Sequence, residues 1–202
     1  MRRFDGETLL IATHNAGKLD EMRAMLAQTG VSVVSSSTLG LAEPDETEDS
    51  FLGNARIKAH YAAKASGLIA LGDDSGLEVD ALDGAPGVYT ADWAETPGGR
   101  DFSLAMLRVH DALLAANAPK PWHARFRCTL VLAWPDGHEQ VFEGAVEGAL
   151  TWPVRGKDGH GFDPMFVPEG DSRTFAEMSA DEKNRVSHRF RAIRALRTKC
   201  FT

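Results

Sequence analysis

The chain has 202 residues, of which 43% are hydrophobic and 25% charged, and its formal net charge is -7 at pH 7. This composition is that of a soluble globular protein, and no apolar run approaches the ~20 residues that a membrane-spanning helix needs. The acidic balance argues against binding to duplex nucleic acid, which depends on Lys and Arg set against phosphates. We expect one domain over residues 1–202, because a core of this size need not divide.

The N-terminal sequence and the cysteines both favour a cytoplasmic protein. Arg2 and Arg3 are followed by neither an apolar stretch nor a small-residue cleavage site, so a secretory signal is not expected. Cys128 and Cys200 lie far apart in the sequence, and Cys128 falls in a strand-like run. Reduced thiols are therefore expected instead of a disulfide.

Hydrophobic periodicity predicts alternating strands and helices over the first 117 residues. The predicted strands are residues 8–12, 31–36 and 68–71. The predicted helices run from about Lys18 to a stop at Gly30, over 50–66, and over 101–117. Asp49 or Ser50 is the expected N-cap of the second helix, and Gly67 is its expected end. Leu104, Leu107 and Leu114 are expected near one face of the third helix.

From His123 onward the pattern becomes that of antiparallel strands. Phe126, Cys128, Leu130 and Leu132 recur at every second residue, and the sequence PDG then turns the chain into a second run. The expected fold class is therefore α/β, with a mixed twisted sheet flanked by helices. The glycine-rich segment RGKDGHGFDP follows as a long loop, of the kind that usually serves a site.

The first candidate site is THNAGK at residues 13–18, where the first strand passes into the first helix. Its main-chain amides, hydroxyl, carboxamide and lysine are donors of the kind that a phosphate chain requires. The spacing is not that of a P-loop, and a polar turn with a surface lysine explains the same residues.

The second candidate is a set of acids, with Glu46 in an acidic loop and Asp73 and Asp74 at the predicted end of the strand 68–71. Carboxylates are preferred ligands of Mg²⁺, which shares its shell with waters and substrate phosphates. Adjacent strand residues point to opposite faces, so the two aspartates should not do the same job. A solvated DDSG turn is the alternative. The seven histidines show no zinc-ligand spacing.

The third candidate is EMSADEKNRVSHRFRAIRAL near the C terminus, where SADE matches a capping box and predicts a helix start. If this helix ran unbroken, Val186 would be buried and His188 would face solvent. If Ser187 instead capped a second helix, His188 and Arg189 would lie in its first turn. Only the second arrangement lets these two residues converge easily with Lys183.

Together, four separated motifs resemble the inosine triphosphate pyrophosphatase family, the RdgB-like enzymes that clear non-standard purine nucleotides. The motifs are TxNxxK at 13–18, FxxNAxxKA at 51–59, DDSGLEVDALDGAPGVY at 73–89, and GFDPMF at 161–166 with EKNxxSHR at 182–189. Each motif alone is weak, but their joint order and spacing are highly specific and span most of the chain.

The resemblance implies an ITPase-like fold, a single domain of two lobes with the active-site cleft between them, and a homodimer. It also implies hydrolysis of a nucleoside triphosphate between the α and β phosphates, with Mg²⁺ as cofactor. The preferred substrates would be ITP, dITP and XTP, whose removal keeps them out of DNA and RNA.

The resemblance further implies a role for each matching residue. Phosphates would be held by Thr13, Asn15, Lys18 and Lys58. The metal would be held by Glu46 and Asp74, and Asp74 would also be the proton acceptor. The residues beside the substrate or reading its base would be Ser75, His160, Gly161, Phe162, Asp163, Lys183, His188 and Arg189. Asp73 is left with a supporting role, such as orienting a lysine.

A 6-oxo purine presents an acceptor where adenine presents an amino donor, so Lys183 or Arg189 would favour inosine over adenosine. Three positions depart from the family pattern. Gly53 stands where a Glu is frequent, His160 stands where an aromatic residue often stacks on the base, and Phe162 replaces a common Tyr.

Two other functions fit the chain less well. A Maf-like pyrophosphatase for modified pyrimidine nucleotides would need a different base-reading set from Asp163, Lys183 and Arg189. A nucleotide-sensing or nucleic-acid-binding module without turnover is disfavoured by the net charge. Such a module is also disfavoured by the acids, since binding phosphate alone favours fewer of them.

Overall fold

The computed structural model describes residues 2–201, which form two compact units. The described residues of the first unit fall within Met1–Asp74, Cys128–Gly144 and His188–Thr202, and those of the second within Ser75–Arg127 and Ala145–Ser187. Neither unit is a continuous piece of chain, because three long strands each begin in one unit and end in the other.

Strands and helices alternate over residues 8–79. The strands are β1 (Thr8–Ala12), β2 (Ser32–Ser35), β3 (Ile69–Val79), β4 (Glu95–Thr96), β5 (Gly99–Arg100), β6 (Trp122–Ala133), β7 (Glu139–Leu150) and β8 (Phe166–Pro168). The helices are α1 (Ala16–Leu26), α2 (Phe51–Ser66), α3 (Phe102–Ala115), α4 (Ala180–Val186) and α5 (His188–Cys200). Between residues 2 and 201, no helix is long and apolar enough to cross a membrane.

The main sheet has the strand order β2-β1-β3-β6-β7-β8. β1 is parallel to both β2 and β3, whereas β7 is antiparallel to β8. β6 and β7 are consecutive and adjacent, and the turn between them is closed by a bond from the Trp134 N–H to the His138 carbonyl. The predicted α/β class, with a mixed sheet and a hairpin, is confirmed.

The sheet of the first unit is buried on both faces. Leu9 and Ile11 of β1 pack with side chains of α1 and α5, whereas Leu10 and Ala12 pack with side chains of α2. β6 divides its side chains in the same way. Because strand side chains alternate between faces, each β3 residue in this unit is committed either to α1 and α5 or to α2.

Gly72 allows α2 to lie directly against β3. A Cβ at this position would lie 2.3 Å from the Ala55 carbonyl oxygen and 2.8 Å from the Ala59 nitrogen. The helix is itself defined at both ends by its caps, since Ser50 accepts from the Gly53 N–H and Gly67 adopts a left-handed conformation. The approach of α2 to β3 therefore depends on a residue without a side chain.

In the second unit, the core is built from aromatic rings and from α3. The rings of Phe126 and Phe166 lie 4.7 Å apart, edge to face. α3 buries Ala105, Met106, Val109 and Leu113. The prediction that Leu104, Leu107 and Leu114 mark the apolar face was wrong, because Leu107 and Leu114 are 42% and 56% exposed. α3 carries apolar residues on more than one face, so periodicity did not select the buried one.

β3 also differs from its prediction. The strand was expected to end at Leu71, but it continues through Asp73 and Asp74 to Val79. The two acids therefore lie in the middle of a buried strand instead of at its end. The alternative of a solvated DDSG turn was wrong for the same reason.

We expect Gly72→Ala to lower the free energy of unfolding by about 1–3 kcal/mol, because a methyl group there forces α2 away from β3. Urea unfolding followed by circular dichroism measures this change. Gly98→Ala is the matched control, since the nearest atom to a Cβ there is 3.8 Å away. An unchanged unfolding midpoint for Gly72→Ala would contradict the close approach.

Candidate active site

The β1–α1 turn presents the first group of predicted residues. α1 begins at Ala16, two residues earlier than expected, because Asn15 is its N-cap and accepts from the Lys18 N–H at 3.0 Å. The Thr13 hydroxyl accepts from the Asn15 N–H at 3.1 Å. These bonds shape the turn and place Thr13, Asn15 and Lys18 at the positive end of a helix, where anions bind favourably.

Asp73 lies on the face of β3 that packs against α1 and α5. Lys18 Nζ donates to its Oδ1 at 2.5 Å, and Arg189 Nε donates to its Oδ2 at 3.4 Å. Cys128 Sγ lies 3.2 Å from the same Oδ2. Burial disfavours the ionised form, but Lys18 and Arg189 outweigh burial and hold the pKa of Asp73 well below its usual value. Asp73 is therefore a buried anion that orients Lys18.

Asp74 lies on the opposite face, toward α2, as strand alternation predicted. Lys58 Nζ donates to Asp74 Oδ1 at 3.2 Å and to Glu46 Oε1 at 3.0 Å, so one ammonium bridges the two acids. Burial disfavours the charge on Lys58, but Asp74 and Glu46 outweigh it and raise the pKa of Lys58. Burial also raises the pKa of Asp74 to about 6, against the opposing effect of Lys58.

Glu46 and Asp74 form a carboxylate pair that fits Mg²⁺. Oδ2 of Asp74 is buried and has no hydrogen-bond partner, which is costly unless a ligand satisfies it. Residues 2–201 contain no group of three or more His, Cys, Asp or Glu placed to hold a metal ion. Mg²⁺ does not require such a group, because it is commonly held by one or two carboxylates together with waters and substrate phosphates.

The C-terminal segment is broken at Ser187, as the second arrangement predicted. Ser187 has an extended backbone with φ -65° and ψ 159°, and α5 begins at the next residue. Val186 is 40% exposed and His188 is 5% exposed, the reverse of what an unbroken helix requires. A Cβ at Gly144 would lie 2.1 Å from the His188 carbonyl oxygen, so this glycine allows β7 and the start of α5 to touch.

Arg189 and Lys183 have different acidic partners. Arg189 is buried and donates to Asp73 and to Glu21, and these acids raise its pKa although burial opposes this. Lys183 Nζ donates to Asp163 Oδ2 at 2.7 Å. The expected convergence of Lys183, His188 and Arg189 stays a prediction.

Asp163 organises the glycine-rich loop of the second unit. Besides pairing with Lys183, its Oδ2 accepts from the His160 main-chain N–H at 2.7 Å. Gly159 has φ +78°, and a Cβ there would lie 2.2 Å from the same oxygen. Asp163 is 2% exposed and Lys183 6%, so this is a buried ion pair that ties the loop to α4.

The remaining predicted residues lie around this loop or in β3. His160 is exposed and Gly161 is half-buried. Phe162 is 1% exposed and packs edge to face on Phe102 at 5.9 Å, so its ring belongs to the core. Ser75 directly follows Asp74 in β3 and is half-buried.

Comparison with known proteins identifies the family of the chain. The model of the Ham1 family matches residues 9–199. The chain belongs to the Ham1 family. It is 65% identical to a protein of Ruegeria pomeroyi named dITP/XTP pyrophosphatase, over 99% of this chain and 98% of that protein. It is 52% identical to a protein of the same name from Rhodospirillum centenum, over 99% and 98% of the two chains.

Solved structures of Ham1 proteins share the fold. The HAM1 protein of Coxiella burnetii matches with a TM-score of 0.87 at 34% identity, over 96% of this chain and 98% of that one. The Ham1 protein of Staphylococcus aureus matches with a TM-score of 0.82 at 31% identity, over 95% and 96%. The resemblance drawn from the four sequence motifs is confirmed.

Three residues of this Ham1 chain support the site but were given no role from the sequence. Glu21 accepts from Arg189, Cys128 lies against Asp73, and Asn54 bonds to the main chain of Glu48. Helical spacing was a usable signal for two of them, because Glu21 is three residues after Lys18 and Asn54 is four before Lys58. Cys128 had no such signal, since only strand pairing brings it next to β3.

We expect unequal effects on stability from neutralising the two aspartates. Asp73→Asn removes the buried counter-charge of Lys18 and Arg189 and should lower the free energy of unfolding by about 3 kcal/mol. Asp74→Asn should leave the free energy of unfolding close to that of the wild type, because burial already disfavours the charge of Asp74. Urea unfolding without metal or nucleotide measures both, and equal losses would contradict the different environments of the two acids.

Proposed function

We propose that this protein is a nucleoside triphosphate pyrophosphatase that converts ITP, dITP and XTP to the monophosphate and pyrophosphate. Such an activity would keep these non-standard purines out of DNA and RNA. The observation that carries the proposal is the buried Asp74, joined through Lys58 to Glu46, in a chain that aligns end to end with proteins named dITP/XTP pyrophosphatases.

The triphosphate is proposed to bind at the β1–α1 turn and beside Lys58. Thr13, Asn15 and the start of α1 offer hydroxyl and amide donors, and Lys18 adds a positive charge. Lys18 is 24% exposed at its side chain while Asp73 holds its ammonium, so it is oriented and still accessible. Lys58 supplies a second positive charge from α2.

Glu46 and Asp74 are the proposed ligands of Mg²⁺, the implied cofactor. When bound, this ion would neutralise charge on the phosphate oxygens and polarise the phosphorus for attack. The support for this assignment is the partnerless Asp74 Oδ2 and the exposure of Glu46, whose side chain is 38% exposed.

Asp74 is the proposed acceptor of a proton from the attacking water. In the free protein its pKa of about 6 leaves it mostly ionised at neutral pH, so the carboxylate is in the form that can accept a proton. Hydrolysis of this type needs an oriented water and neutralised phosphate charge, and it needs no covalent intermediate on the protein.

The base is proposed to be read by Asp163, Lys183, His188 and Arg189, next to Ser75 and the loop of His160, Gly161 and Phe162. Lys183 presents an ammonium donor, which suits the 6-oxo acceptor of hypoxanthine or xanthine and opposes the amino group of adenine. His160 is exposed and offers a ring for stacking. Phe162 would contribute through its main chain, because its ring is buried.

We further propose that residues 1–202 act as a single catalytic domain, in a cytoplasmic homodimer. The support for a single domain is the path of the chain, since β3, β6 and β7 each contribute to both compact units. A unit excised from the chain would have to break these strands.

A substrate panel tests the proposed reaction. ITP, dITP and XTP should be hydrolysed with Mg²⁺ far faster than ATP or dUTP, and the released product should be pyrophosphate. The assay scores pyrophosphate and orthophosphate separately. Release of orthophosphate alone would refute cleavage at the α,β linkage, and a strong preference for a pyrimidine would refute the assignment of the base-reading residues.

Asp74→Asn should reduce kcat by roughly 10³-fold, because the amide can neither accept a proton nor bind metal as an anion. Steady-state kinetics with ITP measures this loss, in a variant that is expected to remain folded. Turnover near that of the wild type would remove Asp74 from the mechanism.

Lys183→Met should narrow the preference for ITP over ATP by roughly 10–100-fold, the worth of one charged hydrogen bond. The ratio of kcat/KM values for the two nucleotides measures it, below the unfolding temperature of the variant. Lys157→Met, at an exposed lysine of the glycine-rich loop, is the control. An unchanged ratio for Lys183→Met would exclude Lys183 from base reading.

A further inference from the structure

The acidic loop that carries Glu46 is held to α2 by a buried asparagine. Asn54 is 2% exposed, and its side-chain oxygen accepts from the Glu48 N–H at 3.0 Å. Its side-chain nitrogen donates to the Glu48 carbonyl at 3.1 Å. The two backbone partners differ in kind, one donor and one acceptor, so they define which way the amide points. Both hydrogen-bonding groups of one loop residue are thus satisfied by a single side chain.

A second residue on the same face of α2 also contacts the acidic loop. Lys58 follows Asn54 by four residues and so lies one helical turn further along this face. Its ammonium donates to Glu46 Oε1 at 3.0 Å. Asn54 therefore fixes the main chain at residue 48, and Lys58 contacts the carboxylate two residues earlier. Glu46 otherwise lies in a loop without regular structure, where its side chain would sample many positions.

Gly53 gives the loop room to lie against the helix. A Cβ at this position would lie 2.4 Å from Glu48 Cβ and 2.6 Å from Glu48 Cγ. Neither atom is the far end of a flexible side chain, so any side chain at residue 53 would have to displace the loop. The side chain of Glu48 occupies the space that the missing side chain leaves.

We propose that Asn54 and Gly53 are positioning residues, which hold the acidic loop so that the Glu46 carboxylate faces Asp74 across Lys58 for binding of a divalent cation with its nucleotide. This inference rests on the proposed function, in which Glu46 and Asp74 hold the metal. Asn54 acts through the main chain of Glu48, and Gly53 acts by leaving room for the Glu48 side chain.

Asn54→Ala tests whether Asn54 positions the acidic loop, and Glu48→Ala is the matched control. Asn54→Ala should raise the Mg²⁺ concentration for half-maximal ITP hydrolysis by roughly 10–100-fold, as is usual when the support of a metal ligand is lost. kcat at saturating Mg²⁺ should change much less. Glu48→Ala removes a neighbouring carboxylate but leaves the backbone bonds intact, so it should stay near wild type in both. Equal Mg²⁺ dependence in Asn54→Ala and wild type overturns the proposal.

A second measurement needs neither metal nor turnover. Amide hydrogen exchange of the free protein, measured by NMR, should show that the main-chain N–H of residue 48 is protected in the wild type and in Glu48→Ala. The same N–H should exchange at least tenfold faster in Asn54→Ala. If the wild type released no pyrophosphate with Mg²⁺, the proposed function would fail. The exchange comparison would still show whether Asn54 holds the loop. If the Glu48 N–H stayed protected in Asn54→Ala, the positioning role of Asn54 would be overturned and the proposed function would not be affected.

Gly53→Ala tests the fit of the loop independently, and it keeps the proposal testable if Asn54→Ala does not fold. A helical Gly→Ala change ordinarily stabilises a protein by up to about 1 kcal/mol. Here it should instead raise the Mg²⁺ concentration for half-maximal ITP hydrolysis and reduce the protection of the Glu48 N–H from exchange. Adding Glu48→Gly removes the clashing atoms and should restore both, with Glu48→Gly alone as the control. The role of Gly53 is overturned if Gly53→Ala matches the wild type in Mg²⁺ requirement and in protection of the residue 48 N–H. It is also overturned if the double variant recovers neither of these two properties.

Discussion

The structure depends on the burial of two adjacent carboxylates in the middle of one strand. Asp73 and Asp74 are 3% and 5% exposed, and an isolated buried charge is too costly to retain. Because the two side chains leave β3 on opposite faces, each acid takes its ion-pair partners from a different face of the sheet. The fold must therefore bring a cation to each face of the sheet at the same height along the strand.

The two faces meet this requirement differently, and the difference separates the two acids chemically. Asp73 faces two cations, from α1 and α5, and is held as a permanent anion. Asp74 shares one cation with Glu46, keeps one oxygen without a partner, and has a pKa of about 6. Neighbours in the sequence thus differ in their surroundings, since one is an anion held by two ion pairs and the other has a raised pKa and an unpartnered oxygen. The distinction comes from the number of cations on each face.

Local signals in the sequence were sufficient for most of the secondary structure. Capping residues such as Ser50 and Ser179 and the left-handed Gly67 depend on neighbours within one turn, and they marked helix ends correctly. The buried face of α3 and the length of β3 were wrong. Both depend on what lies opposite, since β3 continues through its acids only because distant lysines and an arginine compensate their charge.

The sequence by itself determined most of the elements and the family, because these follow from short-range pattern and from motifs in a specific order. It also determined that Asp73 and Asp74 face opposite ways, since the period of a strand is two. Only the tertiary structure decided which cation serves which acid, that Cys128 lies against Asp73, and that Asn54 holds the loop of Glu46. These contacts join residues from separate elements, and their geometry is set by backbones that touch at glycines such as Gly72. No local pattern carries that distance information.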